Sequence, residues 1–202
     1  MHQLAFGVTV TARKNKPVSK GTFGTADLEI VADLVSDGIR EGSYVDIFPT
    51  GNRPEIIQFL QRLATKCEFR QRDPVKGCLH NRVAALLIYS VEDTVVGFSV
   101  LAESLSDSTR NYVELVMIGV VPLKRGLGYG AFILDSVINT MSQQHFNLVV
   151  KCPSDNQLLF AMLVTRGFVS FGRICKGRLL RLAPLINKGH SGKHIHPFLG
   201  VE

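Results

Sequence analysis

From Arg82 the chain falls into three apolar runs, RVAALLIYS, TVVGFSVLAE and YVELVMIGVVP, divided by a turn at Glu92-Asp93 and a polar loop from Ser104 to Arg110. Short β-rich runs joined by polar turns predict an antiparallel meander. Upstream, Leu4, Phe6, Val8 and Val10 alternate with small or polar residues and predict a half-buried strand over Leu4 to Thr11, followed by a polar, Gly-containing connection. Leu28, Val31, Leu34 and Val35 recur at helical spacing over Asp27 to Ile39, and Gly42 lies just beyond that helix. A second helix is predicted from Pro54, whose missing N–H costs nothing in a first helical turn. Its buried stripe reads as Ile57, Leu60, Leu63, Ala64 and Cys67.

Beyond Pro122 a Gly-rich turn leads into a helix with Leu134, Val137, Ile138 and Met141 on one face. A short strand over Phe146 to Cys152 and another helix from near Ser154 follow. Ser154 and Gln157 have the spacing of a capping box, and Gly167 is placed to end that helix. Two closing strands are expected over Phe168 to Arg173 and Gly177 to Leu182. The order is strand, helix, helix, three strands, helix, strand, helix, two strands. It predicts an α+β fold, a mixed and mostly antiparallel central sheet flanked by helices, and not a regularly alternating doubly wound one.

A chain of 202 residues, 46% hydrophobic and 20% charged, suffices for one core. One domain over residues 1–183 is expected, with a basic, His-containing tail over 184–202. No apolar run reaches the roughly 18 residues of a membrane span, and the first residues alternate where a signal peptide would carry an apolar block. A cytoplasmic protein without a membrane partner is the expectation. Cys67, Cys78, Cys152 and Cys175 form no C-x-x-C pair, so neither a zinc knuckle nor a disulfide framework is indicated. The net charge of +6 and pI near 9.3 favour an anionic partner, be it nucleic acid, an acidic surface or a phosphorylated cofactor. Arg13, Lys14, Lys16 and Lys20 form one basic cluster and Arg173, Lys176, Arg178 and Arg181 another; a solvated surface accounts for both equally well.

The segment VVPLKRGLGYGAFILDSVI carries the most chemistry, because it joins a strand, three glycines and a helix start. Glycines let backbone N–H groups approach a pyrophosphate, and the positive end of the helix dipole faces the same point. Arg125 and Lys124 add charge. Gly126 to Ala131 also satisfies the dinucleotide fingerprint G-x-G-x-x-G/A. That motif, however, should open a βαβ unit with a carboxylate about 20 residues on, and here the next strand ends Val149-Val150-Lys151.

Arg125-Gly126-Leu127-Gly128-Tyr129-Gly130 resembles the signature Q/R-x-x-G-x-G/A of the GNAT superfamily of N-acetyltransferases. The stretch from Asn156 to Phe168 resembles the later helix of that family, which starts with Asn and closes on Gly-Phe. The resemblance is close over residues 82–182 and extends to the first 80 only in outline. It implies acetyl-CoA as co-substrate, with its pyrophosphate on Arg125, Gly126, Leu127, Gly128, Tyr129 and Gly130. It further implies that the backbone of Ile118, Gly119 and Val120 pairs with the pantetheine arm, that Asn156 fixes the pantetheine or helps to position the thiolate, and that Phe160 lines the cofactor. No metal is implied. One departure is plain: many family members carry, seven residues after that Asn, a Tyr that protonates the departing thiolate, and this chain has Leu163. Cys152 is a substitute to weigh against a structural cysteine. A thiol with a pKa of about 8.5 also leaves tolerably as the anion.

Acylation needs a neutral amine, and a lysine-like amine with a pKa near 10.4 must first lose a proton. Glu114, a carboxylate inside an apolar strand, is costly there unless paired, hydrated or used; partial burial would raise its pKa towards that of a general base. Its place eleven residues before Arg125 is similar to that of the strand glutamate serving as base in the histone-acetylating branch of the family. A glutamate at a solvated strand edge is the competing reading. His190, His194 and His196 include an H-x-H, but no acid or Cys lies near them in sequence, and a mobile tail is the expectation. The function expected is direct acetyl transfer from acetyl-CoA to the amine of a small molecule, peptide or protein. Two alternatives stand: a non-catalytic CoA-binding or protein-interaction module, and a GNAT-type toxin acetylating aminoacyl-tRNA, with the basic clusters as its RNA footprint.

Overall fold

The computed structural model describes residues 18–20, 23–44, 47–48, 51–72, 79–104, 112–174 and 177–182. The strand expected over 4–11, the tail over 184–202 and its three histidines lie outside the described residues. The elements are β1 (Val18–Lys20), α1 (Thr25–Arg40), α2 (Arg53–Lys66), β2 (Glu68–Arg72), β3 (Leu79–Val91), β4 (Thr94–Glu103), β5 (Tyr112–Val120), a 3-10 turn (Pro122–Lys124), α3 (Tyr129–Gln143), β6 (Asn147–Pro153), α4 (Gln157–Val164), β7 (Phe168–Ile174) and β8 (Gly177–Leu182).

Local chemistry accounts for most of these boundaries. The Asp27 carboxylate accepts from Gly24 N–H at 3.0 Å and starts α1. The Asn52 side chain accepts from Glu55 N–H at 2.8 Å, and Pro54 sits in the first turn of α2. Glu92 and Asp93 both take positive φ, as a two-residue hairpin turn matched to strand twist requires, and join β3 to β4.

Three expectations are corrected. The stripe of α2 is Ile56, Phe59, Leu60 and Leu63, with Ile57 and Ala64 only partly buried and Cys67 an exposed left-handed C-cap. The cap of α4 is Asn156, whose side chain accepts from Leu159 N–H at 3.0 Å; Ser154 stays outside the helix and its carbonyl accepts from Gln157 Nε2. Two short strands were not expected, β1 and β2. They pair antiparallel with opposite ends of the long β3, β1 at Ile88–Ser90 and β2 at Leu79–Val83.

The eight strands form one sheet in the order β1-β3-β4-β5-β6-β8-β7, with β2 on β3. All pairings are antiparallel except β5 with β6. This is the mixed, mostly antiparallel sheet expected. On one face α1 and α2 bury Val31, Val35, Ile56 and Leu60 against Ile88, Phe98, Val100 and Met117. On the other, α3 and α4 bury Leu134, Val137, Met141 and Leu163 against Leu101, Leu115, Leu148 and Val150. Among the described residues no helix is long and apolar enough to cross a membrane.

Candidate cofactor cleft and acceptor site

The sheet parts at its one parallel junction. β5 pairs with β6 only from Tyr112↔Asn147 to Leu115↔Val150. At that point the register between β4 and β5 shifts, so that Val116 is an extra residue between Leu115 and Met117. Such a bulge bends its strand and sharpens the local twist, and beyond it β5 no longer pairs with β6. Which backbone groups then line the gap follows from alternation. Val121 N–H donates to Val96 C=O, so residues 119 and 117 also turn their polar groups to β4, and residues 118 and 120 turn theirs to the open edge. The structure therefore brings Ile118 and Val120 to the cleft, while Gly119, grouped with them on sequence, spends its backbone on Phe98. Gly119 serves packing instead: a side chain there would overlap the Phe98 ring.

Following β5 outward, the chain passes the 3-10 turn into the loop Arg125–Gly130. Gly126 and Gly128 take φ of +79° and +83°, a conformation that L side chains adopt only under strain. Nothing lies within 4 Å of where their Cβ atoms would be, so the loop presents bare backbone to solvent. Gly128 caps α3 without a side chain, and Phe132 N–H to Gly128 C=O is the first bond of the helix. The N–H groups of Tyr129, Gly130 and Ala131 thus have no intrahelical acceptor. Gly130 packs near Val120 and Met162, which joins the loop to β5 and α4. Arg125 is half exposed; its Nε donates to Val120 C=O at 3.3 Å and a terminal nitrogen lies 3.6 Å from Glu41.

At the head of α4, Asn156 is committed to its capping bond and Phe160 is half-buried beside the α3–α4 core. Leu163 is fully buried, so that position offers the cleft no donor. Cys152 is buried as well, its Sγ within 3.7 Å of Pro153 C=O and 3.8 Å of Asn156 C=O, as a structural cysteine would be.

Glu114 lies at the head of the cleft, one residue before the last paired position, and opposite Ala102, a member of the α1–α2 core. Cross-strand partners share a face, so Glu114 points to the side of α1 and α2. Its carboxylate is 5% exposed and held from two directions: Oε2 accepts from Arg82 at 2.6 Å, and Lys151 Nζ lies 3.0 Å from Oε1. Arg82 is itself 1% exposed and also donates to Glu103 C=O at 2.6 Å and to the Gln71 side chain. Lys151, by contrast, is about half exposed, so Oε1 faces the solvent side.

Two residues here went unremarked in the sequence. Arg82 reads there as the polar lead-in to an apolar run. Tyr44, in the loop after α1, donates its hydroxyl to Ile118 C=O at 2.6 Å, across 74 positions of chain. Burial pushes the Tyr44 hydroxyl up to about 12, an effect to which Glu41 adds and which Arg125 opposes. Among the described residues no group of three or more His, Cys, Asp and Glu could hold a metal ion.

No protein-family model matches the chain, and no curated protein matches its sequence. Solved structures do match in fold. The paia N-acetyltransferase of Thermoplasma acidophilum, in complex with coenzyme A, superposes with a TM-score of 0.55 at 13% identity, over 79% of this chain and 94% of that one. An N-acetyltransferase of Staphylococcus aureus Mu50 does so with a TM-score of 0.59 at 14% identity, covering 82% and 95%. A GNAT-family acetyltransferase of Bacillus anthracis gives 0.57 at 11% identity, covering 84% and 93%. At such identities what is shared is architecture, and this chain has the fold of the GNAT acetyltransferases.

Proposed function

We propose that the chain is an acetyl-CoA-dependent N-acetyltransferase acting on an amine. The observation that carries this reading is the parted sheet: an open strand edge at Ile118 and Val120 runs directly into a bare helix N-terminus at Gly128–Gly130. An arm with two amides can add to such an edge as a strand does, and a pyrophosphate matches unpaired N–H groups at a helix start. The space where Cβ atoms of Gly126 and Gly128 would stand is open, as close approach of a phosphate requires. The residues that would hold the co-substrate are Ile118 and Val120 along the arm, Arg125, Gly126, Leu127, Gly128, Tyr129 and Gly130 at the phosphates, Asn156 at the pantetheine or the thiolate, and Phe160 along the cofactor. Acetyl-CoA, when bound, supplies an acetyl group activated as a thioester.

The chain's own part is to polarise, orient and take a proton. Ile118 N–H, on the open edge, is the donor for an oxygen that gains charge. Glu114 is the base, acting through Oε1 while Arg82 fixes Oε2. That Lys151 brings an ammonium to 3.0 Å of Oε1 from the half-exposed side supports this, since an acceptor amine would approach by the same route. The acceptor is a small-molecule, peptide or protein amine.

A second reading, CoA binding without turnover, draws support from the buried Leu163 and from the two cations already on Glu114. Two measurements decide. Acetyl-CoA or CoA should raise the melting temperature while NADH and NADPH do not; equal stabilisation by a nicotinamide cofactor would overturn the cofactor assignment. Thiol release with a panel of polyamines, peptides and aminoglycosides should then exceed the amine-free rate. A thermal shift without release from any amine favours the second reading.

A further inference from the structure

We propose that the Tyr44 hydroxyl donates a hydrogen bond to the sulfur that departs during acetyl transfer, an assignment that rests on the acetyltransferase reading above. Three observations converge on this residue. Its ring is seated on α1 where Gly38 leaves room, since a Cβ at Gly38 would overlap the ring edge. Its hydroxyl is 2.6 Å from Ile118 C=O, a carbonyl that alternation places on the open edge of β5. That carbonyl lies inward of Val120 along the path from the phosphate loop. An arm paired first at Val120 and then at Ile118 brings its far end, the sulfur, to the hydroxyl.

Other groups near the cleft do not fill this role. Leu163 has no donor, and Cys152 is buried within bonding distance of two backbone carbonyls. The charged groups that act on Tyr44 are Glu41 after α1 and Arg125 from the loop; burial outweighs both and keeps the hydroxyl protonated well above neutral pH. It is therefore a neutral donor and not an acid. As the acceptor nitrogen bonds to the acetyl carbon, the C–S bond breaks and its electron pair stays on sulfur. Tyr44 donates to that thiolate and keeps its own proton, the amine proton goes to Glu114, and water later reprotonates the sulfur. A carbonyl oxygen has two lone pairs, so the hydroxyl can turn from Ile118 to sulfur while that carbonyl takes an amide N–H.

The test is an equilibrium one and needs no acceptor. Affinities of wild type and Tyr44→Phe for CoA and for desulfo-CoA are measured by calorimetry at about pH 7 and about pH 9.5, either side of the free thiol's ordinary pKa of about 8.5. In wild type the preference for CoA over desulfo-CoA should grow by roughly tenfold at the higher pH, the scale of a hydrogen bond to a charged group. In Tyr44→Phe that gain should vanish while desulfo-CoA binds as before. Retention of the full gain by the variant overturns the proposal. Failure of wild type to bind either ligand is a separate outcome, which overturns the underlying reading and the proposal with it. Should Tyr44→Phe not fold, fluorotyrosine at position 44 keeps the bond and makes the hydroxyl a stronger donor; the CoA preference must then rise, and no change counts against the role.

Discussion

Glu114→Gln keeps the shape of the side chain and removes its charge, and two separable consequences are expected, one from the structure and one from the role proposed for Glu114. The first is structural. Arg82, 1% exposed, would retain Glu103 C=O and Gln71, with an amide oxygen in place of the Glu114 carboxylate. Removing one partner of a buried ion pair costs about 3–5 kcal/mol. Glutamine still accepts one bond, and the half-exposed Lys151 contributes little once solvent screens it. The lower end, about 3 kcal/mol, is expected, which at 2–4 °C per kcal/mol for a chain of this size lowers the melting temperature by roughly 6–12 °C. The second is chemical. Loss of a general base should reduce the turnover number by about 10² to 10⁴ with the Michaelis constant for acetyl-CoA little altered. Urea unfolding and thiol release read the two separately. The paired variant Arg82→Met/Glu114→Leu parts them further, because replacing both ions with apolar groups should recover most of the stability and none of the turnover. A folded Glu114→Gln protein within about 0.5 kcal/mol of wild-type stability, turning over within about threefold, a barrier change well under the 1.4 kcal/mol of a tenfold effect, would refute both halves.

Gly128→Val should leave the fold intact, since its Cβ meets open space, at a strain cost of about 1–2 kcal/mol for φ of +83°. CoA affinity should fall at least tenfold by calorimetry, and an unchanged affinity would put the phosphate loop elsewhere. Lys151→Met removes the ammonium that competes for Glu114 Oε1, so the Michaelis constant of cationic acceptors should drop by roughly threefold, the scale of a half-exposed ion pair worth under about 1 kcal/mol; no change in any cationic acceptor would refute the shared route. Tyr89, buried and bonded to Ser99, has its hydroxyl pushed by burial up to about 12. Its folded value is above the ordinary one of 10, so its contribution is complete below pH 10 and is lost as pH rises to about 12. That loss is roughly 3 kcal/mol by linkage, and Tyr89→Phe should flatten part of the decline in urea midpoint across that window.

The meander was legible as unbroken apolar runs, because helices cover both faces of β4, and the helices were legible because each buries one stripe and so prints its period on the sequence. β2, EFRQR, prints none: it pairs with the half-exposed start of β3 and carries four polar residues in five. Arg82 escaped for a related reason. Finding its partner requires the registers of β3 on β4 and β4 on β5, each with an irregularity that no sequence period announces. The glycines of the loop could be read directly, since positive φ selects for them. Tyr44 could not. A single aromatic in GSYVD has no periodicity, and its one informative contact joins residues 74 positions apart.

The parting of β5 from β6 also bears on how this protein protects itself. An unpaired strand edge is a template for adding another strand, and it is as hazardous inside a sheet as at its rim. Here the two carbonyls that edge presents, Ile118 and Val120, are covered by the Tyr44 hydroxyl and the Arg125 guanidinium. Side chains cannot be extended into a third strand, so the two carbonyls are satisfied without adding one. A ligand that enters must exchange for these covers, each worth about 0.5–1.5 kcal/mol, and its measured affinity is net of them. Occupancy should therefore register most sharply as slowed amide exchange at Ile118 and Val120, whose N–H groups meet no side-chain acceptor among the described residues.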